Sequence, residues 1–133
     1  PWPSNAADYT AFAAAYGTRR ALDLTVAPFT AARAAWTHPT DYAACQDLAD
    51  TARSAEIAVI RYESARDPEK GANLALLTPA VFASPTPIDR QTWRIRLGPS
   101  GVQALCDFPA MRLGYDRTAF AADPRVAKLV WER

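Results

Sequence analysis

Histidine is nearly missing from this sequence. His38 is the single histidine in 133 residues, which excludes a histidine-based nucleophilic triad and a multi-histidine metal site within the chain. It lies beside Pro39, ahead of a helical stretch, and reads as a capping or surface residue. Cysteine is almost as scarce. Cys45 and Cys106 are far apart and lack the Cys-x-x-Cys spacing of a metal or redox motif. Cys45 falls on a helical apolar face with Leu48, Ala49 and Ala52, and Cys106 follows Leu105 at a strand end. Both therefore read as buried thiols rather than a disulfide, which suits a reducing, cytoplasmic compartment. No apolar run approaches a membrane span. The net charge of +1 gives no broad electrostatic case for nucleic acid or an anionic membrane. Gly71 and Gly101 form no phosphate-cradling glycine loop, so a Rossmann or P-loop site is unsupported. Trp2 is followed by polar residues rather than by a basic start and an apolar stretch, so no secretory leader is expected. The chain begins at Pro1 and its only methionine is Met111, so it reads as a piece of a longer protein.

What is present fits one globular domain over residues 1–133. The chain is 50% hydrophobic and 22% charged, enough to bury a single core. Ser4 and Asn5 predict the cap of a helix running to about Tyr16, with Tyr9, Phe12, Ala13 and Tyr16 on one face and Gly17 as the stop. Arg19–Thr25 reads as a strand, and Pro28–Trp36 as a short helix or turn. Thr40 predicts the cap of a second helix through about Ala55. Thr78-Pro79 opens a single helical turn, and residues 84–87, Ser-Pro-Thr-Pro, are a stiff connection. From Gln91 to Leu97, Trp93, Ile95 and Leu97 alternate with Thr92, Arg94 and Arg96, the pattern of a strand with one solvated face. Val102–Cys106 returns after a turn at 98–101, Met111–Asp116 reads as a further strand, and Val126–Trp131 as a last short element. Helices and strands without regular alternation point to α+β, a mixed and antiparallel sheet with flanking helices.

The densest chemistry lies at residues 57–77. Two apolar runs, Ile57–Ile60 and Leu74–Leu77, read as buried strands. Between them stand Arg61, Glu63, Ser64, Arg66, Asp67, Lys70 and Asn73, with Asp67-Pro68 and Gly71 marking a loop. Polar loops carried by buried strands are a common way to hold functional groups over a cleft. A solvated connection between core strands explains the composition as well.

Several segments in order resemble the C-terminal part of the RES domain family, named for an arginine, a glutamate and a serine. They are Ala21-Leu22-Asp23-Leu24-Thr25; Asp41-Tyr42 with Cys45, Gln46 and Leu48; the run Arg61-Tyr62-Glu63-Ser64-Ala65-Arg66; Gly71 to Leu77; and Gln91-Thr92-Trp93-Arg94. The resemblance implies a fold similar to ADP-ribosyltransferases and a toxin of a bacterial toxin–antitoxin pair. Such a toxin takes NAD as its substrate and cleaves the nicotinamide–ribose bond by phosphorolysis, hydrolysis or ADP-ribosyl transfer, without a metal. The implied partner is an antitoxin, often of the Xre type, with no direct nucleic-acid or membrane contact; a homo-oligomer stays open. Ser64 matches the family's serine, and Arg66 and Asn73 match polar positions that follow it. The family's arginine and glutamate are expected upstream of Pro1, so the isolated chain is expected to be inactive. Adjacent Glu63 is not a substitute if residues 62–64 are extended, because it then points away from Ser64. The alternative function is a non-catalytic module that only binds the antitoxin.

Each candidate has a plainer role beside its chemical one. Ser64 contacts ribose or nicotinamide, or else bonds its own turn. Arg66 meets a phosphate, or pairs with Asp67, Glu69 or Glu63. Asn73 binds ligand through its amide, or closes the preceding turn. Tyr62 stacks on a ring, or fills the core.

Overall fold

The apolar run at 57–60 enters a sheet in the computed structural model, which describes residues 6–129. The chain, read from sequence as one domain, divides into two compact units: Tyr16–Ala83, and Pro1–Ala15 together with Ser84–Arg133.

The Tyr16–Ala83 unit holds strands β2 (Ala21–Asp23), β3 (Val59–Glu63) and β4 (Ala72–Leu76), with helices α1 (Arg33–Trp36) and α2 (Ala43–Ser54). Strand β3 is central, parallel to β2 and antiparallel to β4, with Leu22 opposite Ile60 and Tyr62 opposite Asn73. Alternation along β3 sends successive side chains to opposite faces. Ile60 packs with Leu24 and Ala52 of α2, bordered by Trp36, Leu48, Tyr62 and Ala75. Val59, only 2% exposed, packs with Ala58 and Val81 of the helical turn at Pro79–Val81. Burial on both faces accounts for the unbroken apolar run. Full burial of a side chain such as Ile60 contributes about 1.5–3 kcal/mol.

The start of α2 differs from the Thr40 cap that the sequence suggested. The helix begins at Ala43, after Tyr42, and it is the Asp41 carboxylate that accepts the Ala43 N–H at 3.0 Å. The cause is His38, whose Nδ1 accepts the amides of Asp41 at 2.7 Å and Thr40 at 3.3 Å and holds residues 38–41 as a turn. His38 is thus the local cap its position implied.

The second unit carries β1 (Ala7–Ala13), β5 (Asp89–Gly98), β6 (Gly101–Cys106) and β7 (Met111–Asp116), in the antiparallel order β1-β5-β6-β7. The expected helix to Tyr16 is therefore corrected: residues 7–13 are an edge strand, and the proposed caps Ser4 and Asn5 lie outside the described residues. A short alanine-rich segment with Tyr9, Thr10 and Phe12 has no strong intrinsic choice, and pairing with β5 decides it. Tyr9, Trp93, Cys106 and Met111 lie in one cross-strand row, and Asp8, Arg94, Leu105 and Arg112 in the next. Arg94 is paired with Asp8 at 3.5 Å and Asp107 at 3.1 Å. A short helical turn at Arg117–Phe120 and α3 (Pro124–Ala127) follow; α3 starts two residues before the element expected over Val126–Trp131, because Asp123 caps it and Pro124 opens it, and the expected end at Trp131 lies outside the described residues. The fold is α+β. Among the described residues, no helix is long and apolar enough to cross a membrane.

Candidate functional site

The polar segment after β3 is a tightly closed loop. The Ser64 N–H donates to the Gly71 carbonyl at 2.8 Å, joining the two ends. The Ser64 Oγ accepts the N–H groups of Asp67 at 3.2 Å and Arg66 at 3.4 Å. The Asp67 carboxylate accepts those of Glu69 at 2.9 Å and Gly71 at 3.0 Å. Lys70 sits at φ 57°, in the left-handed region, at the turn. A Cβ at Gly71 would come within 2.6 Å of the Asp67 Oδ2, so any larger residue would have to displace that carboxylate. Side chains thus satisfy the backbone where no strand partner exists.

This loop borders a cavity of about 510 Å³, within the size range of small-molecule sites. Tyr62, Ser64, Arg66 and Asn73, the four candidates from the sequence, all line it. Tyr62 and Asn73 come from facing positions of β3 and β4. The opposite side is supplied by Trp36, His38, Tyr42 and the α2 residues Cys45, Leu48, Ala49 and Arg53.

Ser64 does make the turn bonds of its plainer role. A hydroxyl has two lone pairs and one proton. The two amides take the lone pairs, which leaves the O–H as the group to offer a ligand. Arg66 reaches across to the segment before α2: its Nη2 donates to the Tyr42 hydroxyl at 2.9 Å and to the Pro39 carbonyl at 3.3 Å.

Glu63 lines the cavity together with Ser64. Its carboxylate is turned to Arg33, whereas the Ser64 hydroxyl is taken up by its own loop. The Glu63 carboxylate accepts both Nε (2.8 Å) and Nη2 (2.5 Å) of Arg33. These bonds hold the Glu63 carboxyl below its ordinary range, and the same pair raises Arg33. The pairing cancels most of the local charge and fixes the carboxylate as a hydrogen-bond acceptor. Burial, and secondarily Asp41, pushes the Cys45 thiol up. Its Sγ lies 3.7 Å from the Trp36 carbonyl. Neither cysteine is in a disulfide. Among the described residues, no cluster of three or more His, Cys, Asp or Glu side chains could hold a metal ion.

Sequence reasoning missed Trp36, Tyr42 and the Arg33 partner of Glu63 as parts of this site. A signal existed for Tyr42, which precedes Cys45 by three positions and Ala49 by seven, on the same helical side. None existed for Arg33, thirty residues from Glu63.

No curated protein matches the chain. The family model described as the RES domain matches residues 1–98, a stretch that contains every residue lining the cavity. The chain belongs to the RES domain family.

Proposed function

We propose that this chain is the NAD-cleaving module of a RES-type toxin, acting at the nicotinamide–ribose bond. One observation carries the reading: in a chain of this family, Tyr62, Ser64, Arg66 and Asn73 line a single cavity of about 510 Å³. As the glycosidic bond lengthens, its electron pair leaves with nicotinamide and the ribose becomes positively charged. Phosphate, water or a protein side chain then takes the ADP-ribosyl group. The Ser64 O–H, aimed by two backbone amides, donates to the nicotinamide carboxamide or to a ribose oxygen. The Asn73 amide bonds the substrate beside it and the Tyr62 ring packs against it, while Arg66, tied to the Tyr42 hydroxyl and the Pro39 carbonyl, acts on the substrate through Tyr42. Glu63, already balanced by Arg33, accepts from sugar hydroxyls rather than acting as a lone counter-charge. An antitoxin, of the Xre type in many relatives of this kind, keeps the site inactive in this reading.

The test is nicotinamide release from NAD by the intact protein, followed by chromatography with and without phosphate. Release that is lost in Ser64→Ala supports the reading. A protein that neither binds nor cleaves NAD, yet binds the antitoxin encoded beside it, overturns it in favour of an interaction module.

A further inference from the structure

Residues 36–42 build a wall of rings whose polar tips are already tied to the protein's own backbone. The Trp36 Nε1 donates to the Phe29 carbonyl at 3.0 Å. The His38 Nδ1 accepts the Asp41 amide at 2.7 Å. The Tyr42 hydroxyl donates to the Pro39 carbonyl at 2.9 Å and accepts from Arg66 Nη2 at 2.9 Å. All three rings, with Tyr62, line the large cavity. Tyr42 is 38% exposed, so its ring is held in place but still open to a ligand. A ring fixed in advance loses little freedom when another ring packs on it, which is what makes aromatic platforms effective.

We propose that Tyr42 is the stacking platform of this site for a planar heteroaromatic ring, and that Arg66 is its positioning residue. The inference rests on the nucleotide reading above, where nicotinamide and adenine are the rings available. Arg66 extends from the serine loop, and its bonds to the Tyr42 hydroxyl and the Pro39 carbonyl tie that loop to the wall. The Arg66 guanidinium thereby ties the Tyr42 ring, while the Arg66 backbone N–H bonds the Ser64 hydroxyl.

The experiment is calorimetric binding of NAD, nicotinamide mononucleotide and AMP to the intact protein. Tyr42→Leu, which fills the space without a π-face, is expected to weaken NAD on the order of tenfold or more. Tyr42→Phe and Arg66→Ala share the loss of the Arg66–Tyr42 bond, while each also loses its own bond to the Pro39 carbonyl, and each is expected to weaken NAD a few-fold. Their double variant should lose clearly less than the product of the two single losses, because the shared bond is removed only once. A loss confined to AMP places adenine on Tyr42, and a loss confined to the mononucleotide places nicotinamide there. Wild-type NAD affinity in Tyr42→Leu overturns the platform while leaving Ser64-dependent cleavage intact. Multiplying losses in the double variant overturn the positioning role, because Arg66 then contacts the ligand itself. No NAD binding by the wild-type protein overturns the nucleotide reading together with this one.

Discussion

Replacing Ser64 with alanine separates a loop-forming hydroxyl from a substrate-contacting one. The substitution removes an acceptor for two amides, at 3.2 and 3.4 Å. Both bonds are long, and the one from Arg66 is exposed while the one from Asp67 is half-buried, so water can replace part of the lost acceptor. The expected cost is about 0.5–1 kcal/mol, the low end for net hydrogen bonds. That corresponds to a fall of roughly 2–5 °C in Tm for a chain of this size. A protein with about 5 kcal/mol or more of stability stays folded after such a loss. If the O–H donates to the substrate mainly in the transition state, turnover should fall by about one to two orders of magnitude, or about 1.4–2.8 kcal/mol. Stability and rate are therefore expected to diverge. Ser64→Asp sharpens the contrast, because a carboxylate accepts the same two amides but has no proton to donate. Its melt should return towards wild type while its turnover stays low. Nicotinamide release and thermal melts of the two variants are the measurements. Wild-type turnover in Ser64→Ala, or recovery of turnover in Ser64→Asp, would refute the donor role and leave Ser64 as a loop residue only.

Three further outcomes are expected. The ion pair of Glu63 with Arg33 makes stability depend on acid: a lowered carboxyl stabilises above its ordinary value of 4.5 and loses that contribution as pH falls through the lower folded value. Melts of wild type and Glu63→Gln should therefore differ by a constant amount at neutral pH and converge in acid; a gap that widens on acidification would contradict the pairing. Gly101→Ala should destabilise the β5–β6 turn by about 2 kcal/mol or more, because φ is +149° and the added Cβ would lie 2.0 Å from the Tyr115 carbonyl oxygen; an unchanged melt would count against this geometry. Cys45, with its thiol pushed up, should alkylate with iodoacetamide at pH 7.5 more slowly than a free cysteine, as read by intact mass; faster labelling would show an accessible thiolate.

The site was legible to the extent that its chemistry lies close together in the chain. Two apolar runs with a polar loop between them allow little but a pair of strands, and Asp67, Pro68 and Gly71 identify the turn. The Gln91–Leu97 alternation and the glycines at 98 and 101 similarly determine the hairpin of β5 and β6. Residues 7–13 went the other way, because helical spacing of Tyr9 and Phe12 carries less weight than a neighbouring strand that takes up every position. The Thr40 cap yielded for a smaller reason, since one imidazole nitrogen holds the next two amides in a turn.

The sequence by itself determined the α+β class and the family, from short local patterns read in order along the chain, and it named the candidates at positions 62, 64, 66 and 73, which lie close together in it. Tertiary structure alone decided what faces them. Arg33 meets Glu63 across thirty residues and Arg66 meets Tyr42 across twenty-four. Whether Arg66 pairs with a neighbouring acid or ties a distant ring depends on where the chain before α2 returns. That return is fixed by the packing of Leu24, Ala52 and Ile60, apolar residues that carry none of the charge. Local pattern sets which groups are available, and long-range packing sets which of them meet.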